Sequence, residues 1–371
     1  MDERRLAEKL IAYESVNRDG IIACAEFVRA WLEAREIRIE QLELRGLPIL
    51  IAEVGPRRGP SLLLHGHLDV VPAHPEQFKP RLEGDRLFGR GAYDMKGALA
   101  AMMLALQDLA DQERVRVRLA VVPDEESEEV DYRATDLVVE SGCTADFAIT
   151  GEPTQMLVGV AAKGVLMLRV EVSGRAAHGS TPWEGDNAII KALDVFRIIE
   201  SLPFSRESSE LFDRPSINLG RIVGGDAINK VPDYCLIEVD VRYLPGQDPD
   251  RILAEIAAIP DTSVAATFIR EPVEIDPDLA YVRALNAAAA PHHGAELTGV
   301  GRDGASDAVS FIRAGIPAVE FGPEGGGHHG PEEWVSVGSL RAYRNALREF
   351  ALGLGAATGS TDPDASSPPQ L

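Results

Sequence analysis

Five short segments of this chain end an apolar run or a glycine turn in histidine or a carboxylate, residue types that bind divalent cations or move protons. In SLLLHGHLDVVP the run closes on His67-Leu68-Asp69. Strand alternation puts His67 and Asp69 on one face, where a carboxylate can hold the far nitrogen of a metal-bound imidazole; two surface polar residues at a strand end would read the same way. GRGAYDMKGALAA sets Asp94 at the start of a helix, as a carboxylate at the positive end of the dipole or as an ordinary N-cap. VRLAVVPDEESEE places Asp124, Glu125 and Glu126 directly after a buried strand, where adjacent acids repel unless cations or solvent neutralise them. DFAITGEPT brings Glu152 to the end of another short strand, and GPEGGGHHGPEEWVSV carries His328 and His329 in a glycine-rich loop able to approach a metal closely. Each has a bland explanation alone. Together, strand and loop ends that all supply His, Asp or Glu are what a two-metal hydrolytic site needs.

The elements that must position these residues follow from the hydrophobic pattern. From residue 1 to about 165 helices alternate with short apolar strands (PILIAEV, SLLLHGHLD, VRVRLAVV), with helices around Ile21 to Ala34 and Asp94 to Leu109, which predicts an α/β domain with an internal sheet. VLMLRVEVSG, a helix from Asn187 to Leu202, SINLGRIVGG, YCLIEVDVRYL, a helix near Asp248 to Ile259, and SVAATFI then give β-α-β-β-α-β. That order describes a split βαβ sandwich inserted as a second domain. After Pro277 the chain returns to helix and short strand, ends its packing with a helix from Ser339 to about Leu352, and is expected to rejoin the first domain. The expected division is 1–164 with 277–355 for one domain, 165–276 for the other, and a small, polar, proline-rich tail over 356–371 expected to be disordered.

The chain has 371 residues, 37 Lys+Arg against 59 Asp+Glu, and a net charge of −22. At roughly 150 residues per domain this length fits two domains, each able to bury its own core. So acidic a chain repels phosphate backbones and anionic lipid, so neither a nucleic acid nor a membrane is an expected partner. Cys24, Cys143 and Cys235 are widely spaced, which indicates neither a disulfide framework nor a thiolate zinc site and fits a reducing compartment. MDERRLAEKLIAYES lacks the apolar core of a signal peptide, and no apolar run reaches the length of a membrane span. The expected location is cytoplasmic.

HLDVVP, GRGAYDMKG, the DEE triplet, GEPT and HHGPEEWV together resemble the dizinc deacylases and exopeptidases, the family of acetylornithine deacetylase, succinyl-diaminopimelate desuccinylase, aminoacylase and glutamate carboxypeptidase. The resemblance extends through GRAAHGSTPWEGDNAI, INKVPD and VDVRYLPGQ and leaves only the tail outside. It implies an α/β fold: a mixed-sheet zinc-hydrolase catalytic domain with an inserted α+β, ferredoxin-like lid and dimerisation domain. By similarity His67 and Glu152 would ligate one metal, Glu126 and His329 the other, and Asp94 would bridge them while Asp69 orients His67. His329 is preferred to His328 because the family's histidine is followed four positions later by Glu and then an aromatic or apolar residue, here Glu333 and Trp334. His65 and His74 are expected to be structural or solvent-exposed. The family also carries a cis peptide after the bridging aspartate, here Asp94 to Met95.

The implied cofactors are two divalent ions, zinc by default with cobalt or manganese as alternatives. Glu125 would be the general base that takes a proton from water and passes it to the departing amine. His178 of GRAAHGS would donate to the oxyanion, reaching the neighbouring subunit's site in dimeric relatives, so a homodimer through the lid is implied. Asn229 and Arg242 match positions that hold a substrate carboxylate, for which a guanidinium fork is suited, although Arg242 could pair across strands instead. GRDGASDAVSF resembles a carboxylate-binding turn, with Ser306 in it and Arg302 as a reader of a second acidic group. Where relatives often continue past DEE with small residues, this chain reads SEEVDYRATD, placing Glu128, Glu129 and Asp131 near the expected metals. The substrate is then an N-acyl amino acid; a dipeptidase or carboxypeptidase with the same site is the alternative. A non-catalytic ligand-binding relative is disfavoured because Glu125 and all the ligand positions are filled.

Overall fold

The computed structural model describes residues 1–127, 132–293 and 299–357; the acidic stretch Glu128 to Asp131 and most of the expected tail lie outside them. The chain divides into two units, one of Met1–Gly159, Ile275–Gly299 and the chain from Ser310 onward, the other of Val160–Glu274 with Val300–Val309. Among the described residues no helix is long and apolar enough to cross a membrane.

In the first unit the strands run in the order Arg38–Leu44, Leu47–Val54, Arg116–Val122, Ser61–His67, Phe147–Thr150, Ala318–Glu320. The first three pair antiparallel, and Arg116–Val122, Ser61–His67, Phe147–Thr150 and Ala318–Glu320 are parallel, so the sheet is mixed. The parallel strands are nearly continuous apolar runs because both faces are covered: Leu62 to Leu64 and Val117 to Val122 are buried. Lys96–Asp108 packs against Ser61–His67 on one side and against the helices Glu3–Ile11 and Val337–Ala357 on the other. Every residue from Lys96 to Leu106 is buried, as expected of a helix apolar on all faces. Its N-cap is Met95, with no side-chain capping bond, so Asp94 precedes the cap instead of forming it and its carboxylate is left for other partners.

A second, four-stranded antiparallel sheet joins Gly325–Gly326, Trp334–Ser336, Arg86–Phe88 and Arg81–Glu83. This pairing brings the loop holding His328 and His329 to the turn that leads into Asp94. The Asp94–Met95 peptide is cis, the isomer that the resemblance implies.

The second unit contains a four-stranded antiparallel sheet in the order Ser216–Gly224, Tyr234–Tyr243, Gly164–Ser173, Thr262–Arg270. With the helices Ala188–Ser201 and Pro249–Ala257 between strands, this is the split βαβ arrangement expected from the sequence. Alternation along Gly164–Ser173 turns Leu166, Leu168, Val170 and Val172 inward against Val195, Ile199, Ile252 and Ile256. The segment Val300–Val309, which the sequence reading puts with the first domain, groups with this unit: the strand Val300–Arg302 pairs with Gly159–Ala162, and the buried Asp307 carboxylate meets Arg270 at 2.7 Å.

Gly322 is the tightest backbone approach near Glu152: a Cβ there would lie 2.2 Å from the Glu152 carbonyl oxygen and 2.8 Å from that of Gly151. Because the obstructing atoms are backbone, Gly322→Ala is expected to destabilise the protein by about 1–3 kcal/mol, read as a lowered denaturation midpoint.

Candidate metal centre

Three adjacent parallel strands deliver their C-terminal ends to one place, the position at which open α/β sheets bind ligands. Ser61–His67 ends on His67, Arg116–Val122 runs into Asp124, Glu125 and Glu126, and Phe147–Thr150 is followed by Glu152. His67 is fully buried, with Nε2 3.0 Å from Asp94 Oδ1 and 3.9 Å from Glu152 Oε1. Its Nδ1 lies 2.9 Å from the Asp69 carbonyl oxygen and 3.5 Å from the Asp69 carboxylate. The Asp69 carboxylate also accepts the Glu125 and Glu126 backbone N–H groups, at 3.2 and 2.8 Å. One residue thus fixes a histidine through its carbonyl oxygen and the turn bearing two acids through its carboxylate, a link that residue spacing alone does not reveal.

Asp94 is the hub. Its Oδ2 lies 2.5 Å from His328 Nε2 and 3.3 Å from His329 Nε2, and His329 Nε2 is 3.2 Å from Glu126 Oε1. Consecutive side chains of an extended strand point to opposite faces. Here His329 takes φ +57° in a turn that also needs φ +71° at Gly327, and both imidazoles reach the same carboxylate. The family resemblance points to His329; the geometry sets His328 against Asp94 as well. Three groups of close donor atoms result: His67 with Asp94 and Glu152, Asp94 with His328 and His329, and His67 with Glu125 and Glu126.

A further pair, not assigned from sequence, holds the loops. Glu333 accepts the Tyr93 and Asp94 N–H groups at 2.9 and 3.1 Å and forms a buried ion pair with Arg90. Arg90 also donates to the His329 carbonyl oxygen at 2.9 Å. The signal lay in Glu333, noted only as a spacing marker. His65 is structural, buried with Nε2 2.9 Å from Thr135 Oγ1 and its ring edge-on to Phe311, while His74 is exposed.

The electrostatics are those of a site built for cations. Burial works against charge on Asp94, yet His328, His329 and His67 hold it well below the usual carboxylate range. Glu152, buried beside Asp94, is pushed well above its range, and its Oε1 accepts no hydrogen bond. Burial opposes protonation of His67, but Asp69 and Asp94 raise it well above the ordinary imidazole value. Asp94 and Glu126 raise His329 to about 10. A hard carboxylate and imidazole donor set, with an orphaned buried carboxylate oxygen, fits divalent ions of the zinc, cobalt and manganese kind.

In the second unit, His178 is exposed; its Nδ1 is 2.8 Å from Ser180 Oγ and accepts the Ser180 backbone N–H at 3.2 Å. Gly179 N–H donates to the Asn229 carbonyl oxygen at 2.7 Å, so His178 and Asn229 sit on neighbouring turns. Arg242 pairs along its own strand with the Asp240 carboxylate, at 2.9 Å, in place of the cross-strand pairing considered from sequence. Ser306 is buried and its hydroxyl accepts the Ala308 N–H at 3.1 Å, an ordering contact at the start of a helix.

Residues 63–353 match the model of peptidase family M20/M25/M40. The chain belongs to this family. It is 30% identical over 371 aligned positions to a succinyl-diaminopimelate desuccinylase of Xanthomonas oryzae pv. oryzae, covering 92% of this chain and 97% of that one. Its fold is similar to that of a tripeptidase from Staphylococcus aureus (TM-score 0.78, 21% identity, 95% of this chain and 97% of that one). An M20 family metallo-carboxypeptidase from Sulfolobus solfataricus is equally similar in fold (TM-score 0.78, 21% identity, 96% and 100%). The family and the ligand cluster make the chain a metal-dependent amidohydrolase of mixed α/β fold.

Because His329 without metal is held at about 10 and a cation needs the free imidazole, metal loading must displace protons. Calorimetric titration of zinc at about pH 7.5, in buffers of differing ionisation enthalpy, is expected to report net proton release, with affinity rising with pH until it levels near the histidine's value. A heat independent of buffer would contradict this.

Proposed function

We propose that this M20 member removes the acyl group from N-acyl amino acids carrying a free carboxylate, as a desuccinylase or deacetylase, with two zinc ions in the centre around Asp94. The observation that carries the reading is the convergence on Asp94 of His67, His328 and His329, with Glu152 and Glu126 flanking and Glu125 beside them. One ion would be held by His67, Asp94 and Glu152, the other by Asp94, Glu126 and His329, with His328 as a further donor at the second. Bound there, the ions supply Lewis acidity, lowering the pKa of water and polarising an amide carbonyl.

The chain's own residues do the rest. Glu125, held by its backbone N–H on Asp69, takes a proton from the attacking water as oxygen bonds to the carbonyl carbon. It then passes the proton to the amide nitrogen as the C–N bond breaks, leaving an acid and a free amine. His178 supplies the oxyanion donor: the Ser180 amide can only donate, so Nδ1 is an acceptor and Nε2 is the nitrogen left to carry a proton. Arg242, Asn229 and Arg302 are assigned to the substrate's carboxylates, with Asp240 yielding part of the Arg242 fork and Ser306 shaping the turn that bears Arg302. Residues 1–164 with 277–355 form the catalytic domain in this reading, apart from 300–309, which group with the other unit, and 165–276 a lid that pairs two copies of the chain. Exposed Ile190, Leu193 and Ile198 on one helix and Ile222 and Val223 on the edge strand Ser216–Gly224 support the pairing. The enzyme is assigned to the cytoplasm, from its three free cysteines and acidic composition.

The test is amine release from a panel of N-acetyl and N-succinyl amino acids and unblocked dipeptides with added zinc or cobalt, wild type beside Glu125→Gln. Release from acylated substrates, lowered about 10²–10⁴-fold in the variant with metal content unchanged, is expected. Release from dipeptides alone would move the assignment to a peptidase, and no release with metals bound to a ligand-binding protein.

A further inference from the structure

The first unit holds a second concentration of charge, of opposite sign, toward the end of the sheet away from His67. Arg38 faces Glu53 and Glu53 faces Arg118 in register across three neighbouring strands, and Arg116 lies two residues before Arg118 on the same face. The three guanidinium groups converge on one carboxylate: Arg38 Nη2 is 2.8 Å from Glu53 Oε1, Arg116 Nε is 2.8 Å from Oε2, and Arg118 Nε is 3.3 Å from Oε2. With Arg57 and Glu40 they line a hollow of about 340 Å³, which Cys143 also borders. Four arginines against two glutamates leave two surplus positive charges, in a chain whose net charge is −22.

Arg118 distinguishes this hollow from a surface ion-pair ladder. It is 7% exposed, and its Nε donates no hydrogen bond. A buried guanidinium that shares its carboxylate with two others is poorly compensated, and a buried strand position is better filled by an aliphatic residue unless the charge is used. Burial pushes the neighbouring Cys143 thiol upward, so it is neutral and offers Arg118 only weak acceptance.

We propose that this hollow is an anion site separate from the metal centre, taking a compact oxyanion of two negative charges, inorganic phosphate or a short dicarboxylate, against Arg57, Arg116 and Arg118. Guanidinium forks match such oxygens in pairs, and the volume admits an ion of that size. The strand Arg116–Val122 carries the hollow at its start and the metal-ligand acids beyond its end, so an occupant stabilises the sheet on which the centre is built.

The experiment is calorimetric titration of the full chain with inorganic phosphate and, separately, succinate at constant ionic strength, wild type beside Arg57→Gln and Arg118→Gln. One saturable site per chain is expected for at least one of the two anions. Its affinity should fall about threefold in Arg57→Gln and about tenfold in Arg118→Gln, and weaken with added sodium chloride. Arg57 is exposed, so its variant decides the matter even where loss of Arg118 perturbs folding. The absence of saturable binding, or binding unchanged in Arg57→Gln, which would assign the anion to the metal centre, overturns the proposal.

Discussion

The carboxylates of Asp69, Asp94, Glu125, Glu126 and Glu152 meet at one end of a mostly buried sheet, and their mutual repulsion is the constraint around which the rest is arranged. Neighbouring carboxylates raise the His67 and His329 imidazoles, and burial beside Asp94 raises Glu152, so the repulsion favours protonation at all three. Divalent ions relieve the same repulsion more completely, and each proton they displace links metal affinity to pH.

Holding such a cluster requires backbone atoms as much as side chains. Asp69 ties the turn of Glu125 and Glu126 to the His67 strand, and Glu333 ties the turn of Asp94 to the histidine loop through Arg90. Removing one member of a buried charged pair leaves the other uncompensated. These contacts are therefore part of the centre although neither Arg90 nor Glu333 is among its candidate ligands.

Much of this was legible in the sequence. Apolar runs ending in His67, Asp124 and Glu152 mark strands whose ends must be polar, and the β-α-β-β-α-β order of the second unit follows from period-two and helical patterns that agree along the chain. Less legible was whatever depends on contacts between distant segments. The helix after Asp94 starts two residues late, because Asp94 turns to the histidines instead of capping it. His328 reaches the same carboxylate as His329 because of a left-handed turn that spacing does not encode. Ser306 and Arg242 find internal partners, Ala308 N–H and Asp240, that only coordinates reveal. The segment Val300–Val309 joins the second unit by strand pairing and a buried ion pair.

The proposed chemistry depends on Asp94 bridging two ions. Anomalous diffraction from a zinc-loaded crystal, collected on both sides of the zinc edge, tests this directly. Two peaks flanking the Asp94 carboxylate, about 3.5–4 Å apart, are expected, one beside His67 and Glu152 and the other beside Glu126 and the histidine loop. A single peak, or peaks that do not share Asp94, would contradict it.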